Sequence, residues 1–296
     1  MIKILLAFMT MCGIAAASTP QSPMPLWPKG VPGGKQDLGP EKDTSTAKDN
    51  LVGGRAVIRT GNVTEPTLTF YPAEGGGEAP VVIVFPGGGY RILALDLEGT
   101  EICEWLNSIG VSAALVKYRV PGPANRERYA EPLQDAQRAV GIVRAHAAEW
   151  HINPRKVGVL GFSAGGHLSA MVSGHYEKRT YEAQDSADEI SCRPDFAILI
   201  YPAYLTAGPK LDELAPEVKV TADTPPTFLV QTEDDPVHVE NSLVYYRALK
   251  DVKVPAEMHI FSTGGHGYGM RPDPAKPVTE WPKLAEAWLR ARQISR

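Results

Sequence analysis

A serine between two glycines is the first place in this sequence where residue types and spacing indicate chemistry. Gly161, Ser163 and Gly165 form a Gly-x-Ser-x-Gly motif, in which a sharp strand-to-helix turn exposes the serine hydroxyl to a substrate. Side chains at the two glycine positions would collide with neighbouring strands at such a turn. The apolar run 156–160 and the helical pattern of 164–173 supply the strand and the helix. We interpret Ser163 as a nucleophile that needs a general base.

The general base of a serine nucleophile is a histidine, and His266 is the best candidate among the seven in the chain. It lies in the glycine-rich segment 264–269, directly after the last predicted strand, where loose backbone lets the ring reach across the sheet. His167 is the rival by proximity. It lies one helical turn beyond Ser163, so its ring points along the helix, and we interpret it as structural.

An acid should follow the strand predicted for residues 227–231, because nucleophile, acid, histidine is one known chain order of catalytic triads. Glu233, Asp234 and Asp235 all lie there. The carboxylate has to accept the outer ring proton of His266 and stabilise the imidazolium. We predict Asp234 in this role and keep Asp235 as the alternative, since an aspartate before a proline commonly shapes a turn.

An oxyanion hole requires backbone N–H groups that point at the charge developing on the substrate. The segment Pro86-Gly87-Gly88-Gly89-Tyr90 follows the strand predicted for residues 80–85, where such a loop belongs. Adjacent glycines let the backbone approach a ligand closely and would be unfavourable without that use. The predicted donors are the amides of Gly88, Gly89 and Ala164.

The elements around these residues alternate between strand and helix patterns. Continuous apolar runs and helical periodicity predict the following elements: strands 55–59, 67–71, 80–85, 111–118, 156–160, 195–200, 227–231 and 256–261, and helices 95–109, 132–150, 164–173, 241–249 and 281–292. Such alternation indicates an α/β fold with a mostly parallel sheet and helices on both faces.

The N-terminal residues predict export followed by one large catalytic domain. Residues 1–17 have a lysine at Lys3, an apolar core and small residues before Ser18, which is typical of a secretory signal peptide rather than a membrane anchor. Residues 18–50 are rich in Pro, Gly, Ser and Thr and predict an extended arm, with Trp27 packing it onto the body. Residues 51–296 form the predicted catalytic domain. We expect a secreted or periplasmic protein.

Composition and spacing exclude several other classes of function. The formal net charge of −4 and the lack of a basic run do not suggest nucleic acid binding. No second apolar run is long enough to span a membrane. No histidines and carboxylates show metal-ligand spacing, so we expect no metal and no cofactor. Cys103 and Cys192 are expected to be free thiols, and the sequence does not indicate an oligomeric state.

Taken together, these residues resemble the α/β-hydrolase superfamily, and most closely its secreted bacterial acetylxylan-esterase-like branch of carbohydrate esterases. The segments that carry the resemblance span nearly all of the sequence after residue 17: Leu26-Trp27-Pro28, residues 86–90 with Glu98-Gly99, residues 132–139, residues 161–167, and Asp234-Asp235-Pro236 before Glu240-Asn241-Ser242. In related serine peptidases the first aspartate of such a pair is catalytic, which supports Asp234. One departure is Pro86, because many esterases of the superfamily have histidine there.

The resemblance implies an α/β-hydrolase fold and the removal of acetyl or other short acyl groups from carbohydrates such as acetylated xylan. Other hydrolases insert a lid in this region, whereas here residues 203–224 form only a short segment. A short segment predicts a shallow site, which suits an acetylated polymer or a small ester. The alternatives are a general short-chain carboxylesterase, a feruloyl esterase, a peptidase, which normally carries a large additional domain, and an inactive secreted binding protein.

Overall fold

The computed structural model describes residues 19–74 and 78–295. The predicted signal peptide, residues 1–17, therefore lies outside the described residues. The described residues form these strands, in chain order: β1 (Met24–Pro25), β2 (Lys42–Asp43), β3 (Arg59–Gly61), β4 (Thr67–Tyr71), β5 (Ala79–Phe85), β6 (Ile92–Ala94), β7 (Ser112–Lys117), β8 (Ile152–Phe162), β9 (Phe196–Ile200), β10 (Thr206–Ala207), β11 (Glu213–Leu214), β12 (Thr227–Thr232) and β13 (Ala256–Phe261).

Among the described residues, four of the connections between strands contain an α-helix, and a fifth α-helix follows β13. The α-helices are α1 (Glu101–Ser108), α2 (Ala130–Ala145), α3 (Ala164–Gly174), α4 (Glu240–Asp251) and α5 (Trp281–Ala291). Shorter helical turns are a π-helical turn at Asp96–Thr100 and 3₁₀ turns at Ser186–Asp188 and Pro277–Glu280. No helix of residues 19–74 and 78–295 is long and apolar enough to cross a membrane.

An eight-stranded sheet forms the centre, in the order β1-β4-β7-β5-β8-β9-β12-β13. The last six strands in this order, β7-β5-β8-β9-β12-β13, are parallel to one another. At the other edge, β4 pairs with β7 and β1 pairs with β4, both antiparallel. Central strands such as β5 are buried on both faces, which explains their continuous apolar runs. The predicted mostly parallel α/β sheet is confirmed.

Helices cover both faces of the sheet and create two separate cores. Apolar residues of α2, α3 and α4 pack in one core, whereas those of α1 and α5 pack in the other. Residues 203–224 carry only the two-stranded hairpin of β10 and β11, in agreement with the expected lack of a lid domain.

The chain reverses its direction across the sheet beside β5. It passes from β5 to β7 on one side and then returns to β8 on the other side. Ligand sites of open α/β sheets lie at the carboxyl ends of strands where the order reverses in this way. The glycine-rich segment 86–90, called the oxyanion loop below, follows β5, and Ser163 follows β8. Both therefore lie where the strand order reverses.

The N-terminal arm is attached to the body through a buried tryptophan. Trp27 is 5% exposed, and its Nε1 donates a 2.7 Å hydrogen bond to Asp135 Oδ1 in α2. Asp135 is itself fully buried and pairs with Arg119. The prediction that Trp27 packs the arm onto the body is confirmed, while the predicted boundary at residue 51 stays a prediction.

Some predicted elements differ from the observed ones. The strand expected at 55–59 is β3, shifted to Arg59–Gly61, and it joins β2 and β6 in a separate three-stranded sheet. The helix expected at 95–109 begins as the π-helical turn before α1. The two predicted free thiols are confirmed, since Cys103 and Cys192 are both free and buried.

Candidate active site

Ser163 lies at a strained turn between β8 and α3. Its backbone has φ 52° and ψ −116°, a region that costs a non-glycine residue about 1–3 kcal/mol. A Cβ at Gly165 would lie 2.0 Å from the carbonyl oxygen of Phe85 in β5, and one at Gly161 would lie 1.9 Å from the Gly165 carbonyl oxygen. Both positions therefore require glycine. The expected clash with a neighbouring strand is therefore confirmed for Gly165. A Cβ at Gly161 would instead clash with the first turn of α3.

The structure brings Ser163, His266 and Asp235 into one hydrogen-bonded chain. Ser163 Oγ lies 2.8 Å from His266 Nε2, and His266 Nδ1 lies 2.8 Å from Asp235 Oδ2. In the arrangement required for activity, the serine hydroxyl donates to Nε2 and the Nδ1–H donates to the carboxylate. The His266 ring also packs edge-on against Tyr201, with ring centroids 4.9 Å apart.

The prediction of Asp234 as the acid partner of His266 is wrong, because Asp235 occupies that position. The side chain of Asp235 is fully buried, and its Oδ1 accepts a 2.7 Å hydrogen bond from the Val237 amide. It therefore shapes the turn and contacts the histidine at once. Asp234 is exposed and accepts hydrogen bonds from the amides of Gly265 and Gly264, which lower the pKa of its carboxyl. Asp234 thus holds the backbone of the histidine loop.

The predicted oxyanion donors lie around Ser163. Gly88 and Gly89 have φ 133° and 63°, and a Cβ at Gly88 would lie 2.1 Å from the Ile92 carbonyl oxygen. Both glycines line the same cavity as Ser163 and His266. Their amides donate to no other group among the described residues. The amide of Ala164 is the first of α3, where an N–H has no partner within the helix.

Glu98 anchors the oxyanion loop, and sequence reasoning did not assign it a role. Its Oε2 accepts a 2.6 Å hydrogen bond from the Gly87 amide, and its Oε1 accepts a 2.8 Å hydrogen bond from the Tyr201 hydroxyl. Burial raises the pKa of this carboxyl, and the two hydrogen bonds oppose that shift. The Tyr118 hydroxyl donates to the Pro86 carbonyl oxygen at 2.5 Å. These contacts anchor the loop that has Pro86 in place of histidine.

A signal for Glu98 exists in the sequence. Leu95, Ile102 and Leu106 mark the apolar stripe of the predicted helix, and Glu98 lies on that stripe at helical spacing. A carboxylate on a buried stripe needs hydrogen-bond partners, and these partners come from distant segments that the sequence does not place.

The side chain of His167 contacts Tyr90 of the oxyanion loop and makes no hydrogen bond to the Ser163 hydroxyl. It is 1% exposed, and its Nδ1 lies 2.8 Å from the hydroxyl of Tyr90. Burial lowers the pKa of His167 to about 3, so the ring is neutral near pH 7, and its Nδ1 shares a hydrogen bond with the Tyr90 hydroxyl. The structural interpretation of His167 is consistent with this contact.

The cavity over Ser163 has a volume of about 330 Å³, at the lower end of the range of small-molecule sites. Apolar side chains form much of its wall: Val52, Val57, Ile92, Leu97 and Val237. Arg59, Glu98 and Tyr204 add polar groups. Among the residues described, no three histidines, cysteines or carboxylates form a cluster suited to a metal ion. The geometry supports acyl transfer through a serine.

This chain is similar to known protein families and to a solved hydrolase structure. The model of the BD-FAE family matches residues 69–198, and that of the prolyl oligopeptidase family matches residues 202–290. The crystal structure of an acetyl ester-xyloside bifunctional hydrolase from Caldicellulosiruptor lactoaceticus is 35% identical, with a TM-score of 0.69 over 92% of this chain and 97% of that one.

Two curated relatives are similar over 68% of this chain. An acetylxylan esterase of Xylanibacter ruminicola is 33% identical over 43% of its own length. An endo-1,4-beta-xylanase B of Butyrivibrio fibrisolvens is 32% identical over 34% of its length. The matching region therefore covers less than half of each of these longer proteins.

Proposed function

Because this chain belongs to the α/β-hydrolase family, we propose that it is a serine esterase that hydrolyses acetyl and other short acyl esters on carbohydrates such as acetylated xylan. The observation that carries the proposal is the hydrogen-bonded chain Ser163–His266–Asp235, with both contacts at 2.8 Å. The carbohydrate part rests on similarity to the acetylxylan esterase and the acetyl ester-xyloside hydrolase.

In the proposed reaction, Ser163 Oγ attacks the ester carbonyl carbon while His266 Nε2 takes the hydroxyl proton. The amides of Gly88, Gly89 and Ala164 stabilise the oxyanion of the tetrahedral intermediate. The imidazolium then gives its proton to the sugar oxygen as the bond between that oxygen and the carbonyl carbon breaks. The acyl group stays on Ser163 as an acyl-enzyme. A water molecule, deprotonated by His266, attacks this ester, the proton returns to Ser163 as the carboxylic acid leaves, and the acid then loses its own proton to the solvent. Asp235 stabilises the imidazolium in both halves.

The size and lining of the cavity support a short acyl group. Its volume of about 330 Å³ and its apolar wall suit an acetyl methyl group together with part of a sugar. The hairpin of β10 and β11, in the short segment where a lid would lie, leaves the site accessible to an acyl group on a polymer. A general short-chain carboxylesterase or a feruloyl esterase would use the same triad with a different acyl preference.

Hydrolysis of p-nitrophenyl esters tests the mechanism and the acyl preference together. Ser163→Ala should abolish turnover of the acetyl ester and labelling by a fluorophosphonate, whereas the exposed control Ser186→Ala should retain both. The wild type should prefer acetyl over long-chain esters. Turnover that survives in Ser163→Ala would refute the nucleophile, and a preference for long chains would refute the short-acyl assignment.

The proposal includes export to the periplasm or the exterior, where polysaccharide is found. It rests on the sequence pattern of residues 1–17, a lysine followed by an apolar run and small residues. Expression with these residues should yield exported protein whose N-terminus is Ser18. Unprocessed protein retained in the cytoplasm would contradict this part of the proposal.

A further inference from the structure

The Glu98 carboxylate joins two loops of the active site that are distant in sequence. One oxygen accepts the Gly87 amide proton of the oxyanion loop at 2.6 Å. The other accepts the hydroxyl proton of Tyr201, at the end of β9, at 2.8 Å. Glu98 is 4% exposed, so water does not compete freely for either contact.

Tyr201 extends this connection to the loop that carries the general base. Its ring packs against His266 with centroids 4.9 Å apart, and its hydroxyl oxygen accepts a 3.1 Å hydrogen bond from the Gly269 amide. Glu98 is therefore linked to the histidine loop through a single side chain. Both contacts to its carboxylate come from donors that carry no net charge.

The Gly87 contact places Glu98 beside the nucleophile as well. A Cβ at Gly87 would lie 2.6 Å from Glu98 Oε2 and 3.0 Å from Ser163 Cβ, so both groups pack against the same glycine. The Gly87 amide directly precedes the predicted donor Gly88. An acceptor fixed at this amide constrains the orientation of the peptide groups that follow it.

The local backbone aims Glu98 into the site. The residue lies in the π-helical turn Asp96–Thr100, and such turns are frequent at functional sites. A buried carboxylate that accepts two hydrogen bonds without a short ion pair is costly to maintain. A positioning role in the active site would account for this cost.

We propose that Glu98 is a positioning residue that holds the oxyanion loop and, through Tyr201, the His266 loop in the geometry needed for the transition state. The proposal rests on the serine esterase function proposed above. It assigns no proton transfer and no substrate contact to Glu98. Its effect on the reaction is exerted through the amides of the loop and the ring of His266.

Kinetics with p-nitrophenyl acetate test this role separately from the natural substrate, because any active serine esterase cleaves this ester. Glu98→Met removes both acceptors at similar volume, and kcat should fall about 100-fold, the typical cost of displacing a catalytic group by about 1 Å. KM should stay within about threefold, since the lost interaction acts on the transition state. Glu98→Gln keeps an acceptor for the Gly87 amide and should retain more activity than Glu98→Met.

Controls separate positioning from folding. The exposed Glu104→Gln in α1 should behave like the wild type. Affinity for a boronic acid that forms a tetrahedral adduct should weaken in parallel with kcat in the Glu98 variants. A folded Glu98→Met with unchanged kcat, or with an effect confined to KM, would overturn the proposal. If Glu98→Met does not fold, Glu98→Gln and Tyr201→Phe should each lower kcat several-fold, and unchanged kcat in both would overturn it.

An inactive wild type would refute the esterase function itself. Activity of the wild type on p-nitrophenyl acetate without any on acetylated carbohydrate would refute only the substrate class. In that case the comparison of the Glu98 variants with the wild type would still decide the positioning role.

Discussion

At the scale of single residues, the two neighbouring aspartates divide the work of holding the histidine. Asp235 contacts the ring of His266, and Asp234 accepts hydrogen bonds from the backbone of the same loop. Asp235→Asn should lower kcat for p-nitrophenyl acetate by about four orders of magnitude, because an amide favours the wrong tautomer of the histidine. Steady-state kinetics with active-site labelling would measure this loss.

The adjacent variant Asp234→Asn is the matched control. An asparagine oxygen can still accept one of the two amide protons, and one exposed hydrogen bond is worth about 1 kcal/mol, or about a fivefold effect. A larger loss of kcat in Asp234→Asn than in Asp235→Asn would contradict the assignment of Asp235.

Sequence analysis identified the nucleophile and the base more readily than the acid. The Gly-x-Ser-x-Gly motif specifies a particular backbone geometry, and His266 is the histidine that follows the last predicted strand. The choice between Asp234 and Asp235 depends on how the chain turns after β12. A shift of one residue in this turn would bury the side chain of Asp234 and expose that of Asp235. Local sequence preferences do not determine which of the two is buried.

At the scale of elements, the N-terminal arm packs on the body through buried side chains, of which Trp27 is the largest. Trp27 packs at the edge of the Tyr181 ring with centroids 4.7 Å apart, in addition to its hydrogen bond to Asp135. Trp27→Ala should lower the free energy of unfolding by about 3–5 kcal/mol. Trp27→Phe should cost less, because it keeps much of the buried area and Asp135 still pairs with Arg119.

Urea denaturation would measure both variants against a surface control. Leu51 is 62% exposed, and Leu51→Ala should change the free energy of unfolding by no more than about 0.5 kcal/mol. A Trp27→Ala protein as stable as the control would show that Trp27 does not contribute to the stability of the body.

The regular strands and helices could be predicted from their apolar patterns. A central strand is buried on both faces and has a continuous apolar run, whereas a helix is buried on one face and has an apolar stripe. The π-helical turn before α1 could not, since it has the same apolar spacing as an ordinary helix start. The position of β3 also depends on partners, β2 and β6, that are far away in sequence. Both misses lie beside the cavity, where the backbone serves the site rather than regular packing.

At the scale of the whole molecule, the buried His167 should make stability depend on pH. The imidazole binds a proton below about pH 6.5 in the unfolded chain, but only near pH 3 in the folded protein, because burial lowers its pKa to about 3. Between these values acid favours the unfolded state. The contribution of His167 to the free energy of unfolding is therefore fully present above about pH 6.5. It is lost as the pH falls, at about 1.4 kcal/mol per pH unit.

Unfolding free energies measured across this window would test the effect. His167→Gln can keep a hydrogen bond with the Tyr90 hydroxyl, and its stability should decline less steeply with acid than that of the wild type. The half-exposed His146→Gln serves as the control and should retain the wild-type slope. Equal slopes in the wild type and His167→Gln would contradict this prediction.

The most direct test of the central claim is the release of acetate from acetylated xylan. The wild type should release acetate, and Ser163→Ala should release none while remaining folded by circular dichroism. Release of acetate by Ser163→Ala, or no release by a wild type that cleaves p-nitrophenyl acetate, would contradict the claim that this chain is a carbohydrate esterase acting through Ser163.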